Sequence, residues 1–265
     1  MEFLEQYGDV HLVVPLHEQS WTGKSMTRFD AVHAHPITLW GRSGWAVAGT
    51  PADCVNIGVY NLLPKKPDLI VSGINAGLNS GISFLLSSGT VGACLEANIA
   101  EIPALALSQD FDFSTRSRYI SDYSIEEGTL SGFEGRYRKF LPQIMKSLLD
   151  LGDEFRSTPL TWNVNFPCVE SDKSALKLCR LSHTRYRRCF EEDKAGLKGD
   201  ERTFHHRASE ISLDPDTGAD SALIKQGVTT ITPIDITGIG QLGSDLGLVE
   251  RLGRSLNSKP GNAGF

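Results

Sequence analysis

Short apolar runs separated by helical patterns constrain this chain more than any other feature. VHLVVP (10–15), DLIVSG (68–73), PALALS (103–108) and LTWNVNF (160–166) read as buried strands. Between the first two, TPADCVNIGVYNLL carries an apolar stripe at Ala52, Val55, Val59 and Leu62, with Thr50 as N-cap and Pro51 at the first helical position. Residues 90–100 give a second helix. A third runs over 129–151 with Phe133, Tyr137, Phe140, Ile144 and Leu148 at helical spacing, and Pro142 is expected to kink it. Strands buried on both faces need helices on both sides. The alternation therefore predicts an α/β fold: a Rossmann-like, mostly parallel sheet with helices on both faces.

Beyond about residue 170 the pattern changes. LKLCRLS (176–182) and GVTTITPID (227–235) read as strands, and the charged stretch TRYRRCFEEDKAGLKGDERTFHHRASE (184–210) reads as an arm with little apolar content. The expected organisation is one domain over 1–252, with its core at about 1–170 and a hairpin-like arm and C-terminal region at about 171–252. Residues 253–265, rich in Gly, Ser, Asn and Pro, read as a flexible tail.

A net charge of −6 disfavours a nucleic-acid polymer or a lipid surface as partner. No stretch approaches the roughly 18 apolar residues of a membrane span. Cys54, Cys94, Cys168, Cys179 and Cys189 are scattered without CxxC spacing, several inside apolar runs. They are expected as buried thiols of a reducing, cytoplasmic compartment rather than as disulfides or zinc ligands.

The segment VSGINAGLNSGISFLLSSGTVGAC (71–94) leaves a strand at its carboxyl end, where open parallel sheets bind ligands. Gly73, Gly77 and Gly81 would let the backbone approach something closely. Ser88, Gly89 and Thr90 open a helix, whose free N–H groups and dipole favour an anion such as phosphate. From the residues alone a second reading stays open, a loop capped by Thr90. The segment is neither a P-loop, since no GK[ST] follows, nor the GxGxxG fingerprint of a dehydrogenase.

GTPADCV (49–55), PDLIVSGINAGLN (67–79) and SSGTVGA (87–93), in that order and spacing, closely resemble the SurE family of survival-protein nucleotidases. HLVVPLHEQSWTGKSMT (11–27) is similar to the family's VVAP…RSGxGxSxT, and NVNFP (163–167), ADSALIKQGVTTITPID (219–235) and a terminal helix also fit. The resemblance implies a phosphatase acting on nucleoside 5′-monophosphates, with 3′-nucleotidase and exopolyphosphatase activity in some members. It implies a homodimer or homotetramer with an exchanged C-terminal arm. It also implies a divalent cation, Mg²⁺ or Mn²⁺, held by two adjacent aspartates, a serine matched by Ser20 and an asparagine matched by Asn75. Ser88, Gly89 and Thr90 match the phosphate-holding turn. Asn75 and Ser88 stand one residue further apart than in the commonest family pattern, which leaves the assignment between Ser87 and Ser88 open.

The family's aspartate pair, on a strand ending in NDDG, has no counterpart, and the catalytic residues stay unassigned. Two readings follow: a chain whose start lies upstream, or a nucleotide-binding paralogue without catalysis. The absent strand would lie between the strands at 10–15 and 68–73 and leave both edges open. Asp110 and Asp112 follow a strand on the same edge of the sheet, as replacement ligands or as acids of a solvated turn. Asp53 matches a family acid near the site but also suits the first turn of its helix. His183, His205 and His206 read as surface residues. Arg185, Arg187 and Arg188 read as solvated charge or as a cluster steering a nucleotide.

Overall fold

The computed structural model describes residues 1–122, 127–169, 175–193, 202–207 and 210–239. Met1–Ile234 forms one compact unit. Asp235–Phe265 is a second, described only through a 3-10 turn at Ile236–Gly238; the expected terminal helix and the tail at 253–265 lie outside the described residues.

The larger sheet takes β4 (Ile70–Ala76), β5 (Ala104–Gln109), β6 (Thr161–Phe166), β12 (Thr229–Ile234) and β7 (Leu176–Leu178), in that spatial order. β4, β5 and β6 run parallel, β12 is antiparallel to β6, and β7 is parallel to β12. The alternation along β5 shows why helices cover both faces. Ala104 and Ala106 point to one side, where their small volume lets α3 (Gly89–Ile99) approach and pack Val91, Cys94 and Ala97 against Val55 of α1 (Pro51–Ile57). Leu105 and Leu107 point to the other, against Phe140, Ile144 and Leu148 of α5 (Glu127–Leu149). That helix continues on both sides of Pro142.

A second sheet has the order β1 (Leu12–Pro15), β3 (Arg42–Val47), β2 (Ala34–Leu39). The β2–β3 hairpin is absent from the sequence reading. Its two-residue turn is Trp40–Gly41, with φ of 50° and 76°, the left-handed pair that matches the twist of hairpin strands.

The expected arm is built of two ribbons. β8 (Arg185–Tyr186) pairs with β11 (Ile211–Ser212), and β9 (Phe190–Asp193) pairs with β10 (Thr203–His206). Polar pairs link the second ribbon: the Arg202–Glu192 ion pair at 2.5 and 2.7 Å, and the His205 ring with Asp193 at 3.4 Å. α2 (Ile82–Ser87), α4 (Phe113–Asp122), α6 (Asp153–Ser157) and α7 (Asp220–Lys225) complete the elements.

Candidate active site

One cleft of about 1680 Å³ is lined by β1, the loop that follows it, β4, and the start of α3. β1 is the outer strand of its sheet and β4 the outer strand of the other; among the described residues each has an unpaired edge, and both strands line this cleft.

The start of α3 is built for a small anion. Ser88 is the N-cap: its Oγ accepts from Val91 N–H at 3.1 Å, and its carbonyl accepts from Gly92 N–H at 2.8 Å. Among the described residues no carbonyl reaches the first-turn N–H groups of Gly89 and Thr90. The Thr90 hydroxyl, half-buried, has no partner among the described residues. Capping thus falls to Ser88 rather than Thr90, and Ser87 donates to Phe84 O at 3.2 Å.

The loop from Gln19 to Thr27 lies against this turn. A Cβ on Gly89 would stand 2.7 Å from Thr22 Oγ1 and 2.9 Å from Gln19 O, so only glycine lets the loop settle there. Gly23 N–H donates to Ser87 O at 2.9 Å, and Lys24 pairs with the buried Glu96 at 2.6 Å. Asp53 closes the loop's far end. Its carboxylate accepts from Thr27 N–H and Thr27 Oγ1, and from Thr50 N–H in a capping box. Asp53 therefore holds structure and does not line the cleft.

Ser20 and Asn75 both line the cleft. Ser20 Oγ donates to Glu18 at 2.6 Å, and Asn75 Nδ2 donates to Gly77 O at 2.7 Å. Asp110 lines it as well, and burial raises its carboxyl above the usual carboxylate range against the opposing pull of Arg116. Asp112 turns away and caps α4, accepting from Ser114 Oγ at 2.5 Å and from Thr115 N–H and Oγ1 at 2.8 Å; these bonds hold it well below the usual range. Asp110 and Asp112 do not converge as a ligand pair. Among the described residues no group of three or more His, Cys, Asp or Glu side chains could hold a metal ion. Ser20 and Asn75 are neutral, and hard cations need anionic oxygen. The side chains present do not fit the divalent cation that the resemblance implies.

Two positions carry more than the sequence reading gave them. Arg116 lines the cleft, with an Nη2 atom 3.4 Å from where a Cβ on Gly77 would stand; its only signal was a basic residue in a polar helix. Asn79 is buried, with its N–H on Asn165 Oδ1 at 2.8 Å and its Nδ2 on Ser108 Oγ at 2.7 Å, while Asn163 Nδ2 donates to its carbonyl at 2.9 Å. These bonds fix the 75–81 loop on the sheet. The glycines expected to clear room for a ligand instead meet protein. A Cβ on Gly81, at φ 78°, would stand 2.9 Å from Thr184. His183 is exposed in the arm, His205 pairs with Asp193, and Arg188 lies 3.7 Å from Glu210. Among the described residues no helix is long and apolar enough to cross a membrane, and all five cysteines are free.

The family described as "Survival protein SurE" matches residues 1–188. The protein named 5′-nucleotidase SurE of Methanopyrus kandleri is 32% identical over 253 residues, covering 94% of this chain and 89% of that one. Its namesake in Desulforamulus reducens is 30% identical over 236 residues, covering 86% and 82%. The crystal structure of the SurE protein from Aquifex aeolicus superposes with a TM-score of 0.62 at 26% identity, covering 89% of this chain and 86% of that one.

Proposed function

The chain belongs to the SurE family, and on that premise we propose that its reaction is the hydrolysis of a nucleoside 5′-monophosphate to nucleoside and phosphate. The observation that carries the reading is the open turn at Ser88-Gly89-Thr90. Among the described residues, two unpartnered N–H groups, a free hydroxyl and a helix dipole converge on one wall of the cleft. Phosphoryl transfer is accelerated chiefly by stabilising charge on the phosphoryl oxygens. Here the Gly89 and Thr90 N–H groups and the Thr90 hydroxyl would donate to those oxygens, and Arg116 would add positive charge at the far side. The side chain that acts on the attacking water is unassigned. Mg²⁺ or Mn²⁺ enters this reading through the family alone, and no step here runs through it.

The same reading includes a homodimer or homotetramer and a single domain over 1–252. The names of the relatives support the substrate class; activity on 3′-nucleotides and polyphosphate is the finer part of the proposal. A second reading, nucleotide binding without hydrolysis, is favoured by the lack of a cation-binding cluster among the described residues. Phosphate release from AMP in Mn²⁺, measured with this chain and with the same chain carrying the family's paired-aspartate strand at its N-terminus, separates the two. Release by either supports the hydrolase. AMP binding without release by either supports the second reading.

A further inference from the structure

We propose that Trp21 and Phe84 form the wall on which the nucleobase of the substrate stacks, an inference that rests on the nucleotide reading of this cleft. Trp21 follows Ser20, stands two residues after Gln19 and next to Thr22, and a Cβ on Gly89 at the phosphate turn would meet atoms of both Gln19 and Thr22. It lines the cleft together with Phe84, Ser88, Gly89 and Thr90.

The Trp21 backbone stands in the left-handed region that favours glycine, with φ at 61°. A bulky residue rarely tolerates that region, and such outliers gather at ligand clamps. The strain does not serve to bury the ring, which stays 43% exposed. Its orientation is nonetheless fixed. The Trp21 ring centroid lies 6.2 Å from Phe84 at 68°, 5.2 Å from Tyr186 at 51° and 4.4 Å from His206 at 64°. Phe84 and Tyr186 meet at 5.7 Å and 77°. Phe84 and His206 meet the indole at steep angles and Tyr186 lies tilted against it, and part of the ring's surface stays open where it lines the cleft. A held, half-exposed indole beside an anion turn suits a flat π-system attached to a phosphate, which is a nucleoside monophosphate. Tyr186 and His206 belong to the arm, so the arm also sets the indole's angle.

A purely structural clamp between loop and arm would not discriminate between ligands with and without a base. Calorimetric titration of adenosine, AMP and ribose 5-phosphate into the wild-type chain, Trp21→Gly and Trp21→Phe makes the distinction. Glycine suits the observed φ, so that variant keeps the backbone. Trp21→Gly should weaken AMP and adenosine by about tenfold and leave ribose 5-phosphate unchanged, while Trp21→Phe should stay within about threefold of wild type. Equal loss for ribose 5-phosphate and AMP, no loss at all, or a wild-type chain that binds AMP no better than ribose 5-phosphate would overturn the proposal. Adenosine binding with no phosphate release from AMP, either by this chain or by the chain carrying the paired-aspartate strand, would sink the hydrolase and keep the stacking wall. Equal release from AMP and ribose 5-phosphate would do the reverse.

Discussion

Asp220 accepts a hydrogen bond from the Gly81 N–H at 3.1 Å, joining residues 139 apart in the chain. The other oxygen of the same carboxylate accepts from the N–H groups of Ser182 at 2.9 Å and Ser221 at 2.6 Å. One fully buried carboxylate thus ties the cleft loop to the base of the arm and to α7. Asp220→Asn would turn an NH₂ group toward backbone donors, so the expected loss is about 1–3 kcal/mol. Gly81→Ala should lose stability too, from its φ and from the contact with Thr184. Urea unfolding checks both, and an unchanged midpoint for Asp220→Asn would remove this tie from the fold's stability.

Thr90→Val keeps the side chain's shape and deletes the one hydroxyl of the anion turn that has no partner among the described residues. The Ser88 hydroxyl is committed to Val91 N–H, so the expected asymmetry is specific. Thr90→Val should lower phosphate affinity, and turnover in an active form, by on the order of tenfold or more with the melting temperature held. Ser88→Ala should lose stability first, by about 1 kcal/mol as an N-cap. Turnover within twofold of wild type for Thr90→Val would take the turn out of the site.

Asp110 gives a pH signature. Burial raises its carboxyl, so the folded chain holds this proton more tightly than the unfolded one. Its contribution to stability is therefore greatest at low pH and falls as pH rises through the folded value. Asp110→Asn should raise the melting temperature at pH 7 and leave it unchanged near pH 3, where the wild-type carboxyl is already protonated. Thermal melts at the two pH values check the sign. A variant that loses stability at pH 7 would show that the carboxylate has a cationic partner in the cleft.

The contrast between what the residues announced and what they hid has physical causes. The buried strands and the N-cap at Thr50 were legible because apolar runs and the Thr-Pro start of the helix encode them locally, whereas the capping box with Asp53 emerged only in the structure. Trp40–Gly41 was hidden because its left-handed turn carries tryptophan where asparagine or aspartate is the usual signal. β9 and β10 were hidden because polar cross-strand pairs, not apolar alternation, link them. At the site, Ser88, Gly89 and Thr90 were visible as a helix start. Which hydroxyl was spent as the cap depended on the geometry between α2 and α3. Arg116 and Asn79 reach the cleft through tertiary packing, for which a single sequence has no code.

The arm leads to an expectation about assembly. β8 to β11 expose Phe190, Phe204 and Ile211 on short ribbons that bury little of their own surface. A homodimer or homotetramer in which the arm packs on a second copy would cover them. Light scattering at micromolar concentration should give a multiple of the 29.0 kDa chain mass, and Phe190→Ser with Phe204→Ser should shift it toward the monomer. A wild-type monomer would overturn the assembly.

The unpaired edges of β1 and β4 bear on metal chemistry. Both strands line one cleft, and among the described residues each has a free row of backbone donors and acceptors. A strand inserted there would pair with both, and an aspartate pair at its carboxyl end would bring anionic oxygen to the side of the cleft that holds Ser20, Asn75 and Thr90. Without such oxygen, the neutral Ser20 and Asn75 must compete with water for Mg²⁺, which dehydrates reluctantly. The chain as written should therefore show no metal-dependent hydrolysis of AMP, GMP or p-nitrophenyl phosphate at saturating Mn²⁺. The same chain with the paired-aspartate strand joined to its N-terminus should gain it, together with a higher melting temperature from the newly paired edges. Gain of stability without turnover would separate the strand's pairing from the aspartates' chemistry. Clear metal-dependent turnover by the unextended chain would overturn the argument, and would direct attention first to Glu18, which accepts from Ser20, and to Asp110, both among the carboxylates that line the cleft.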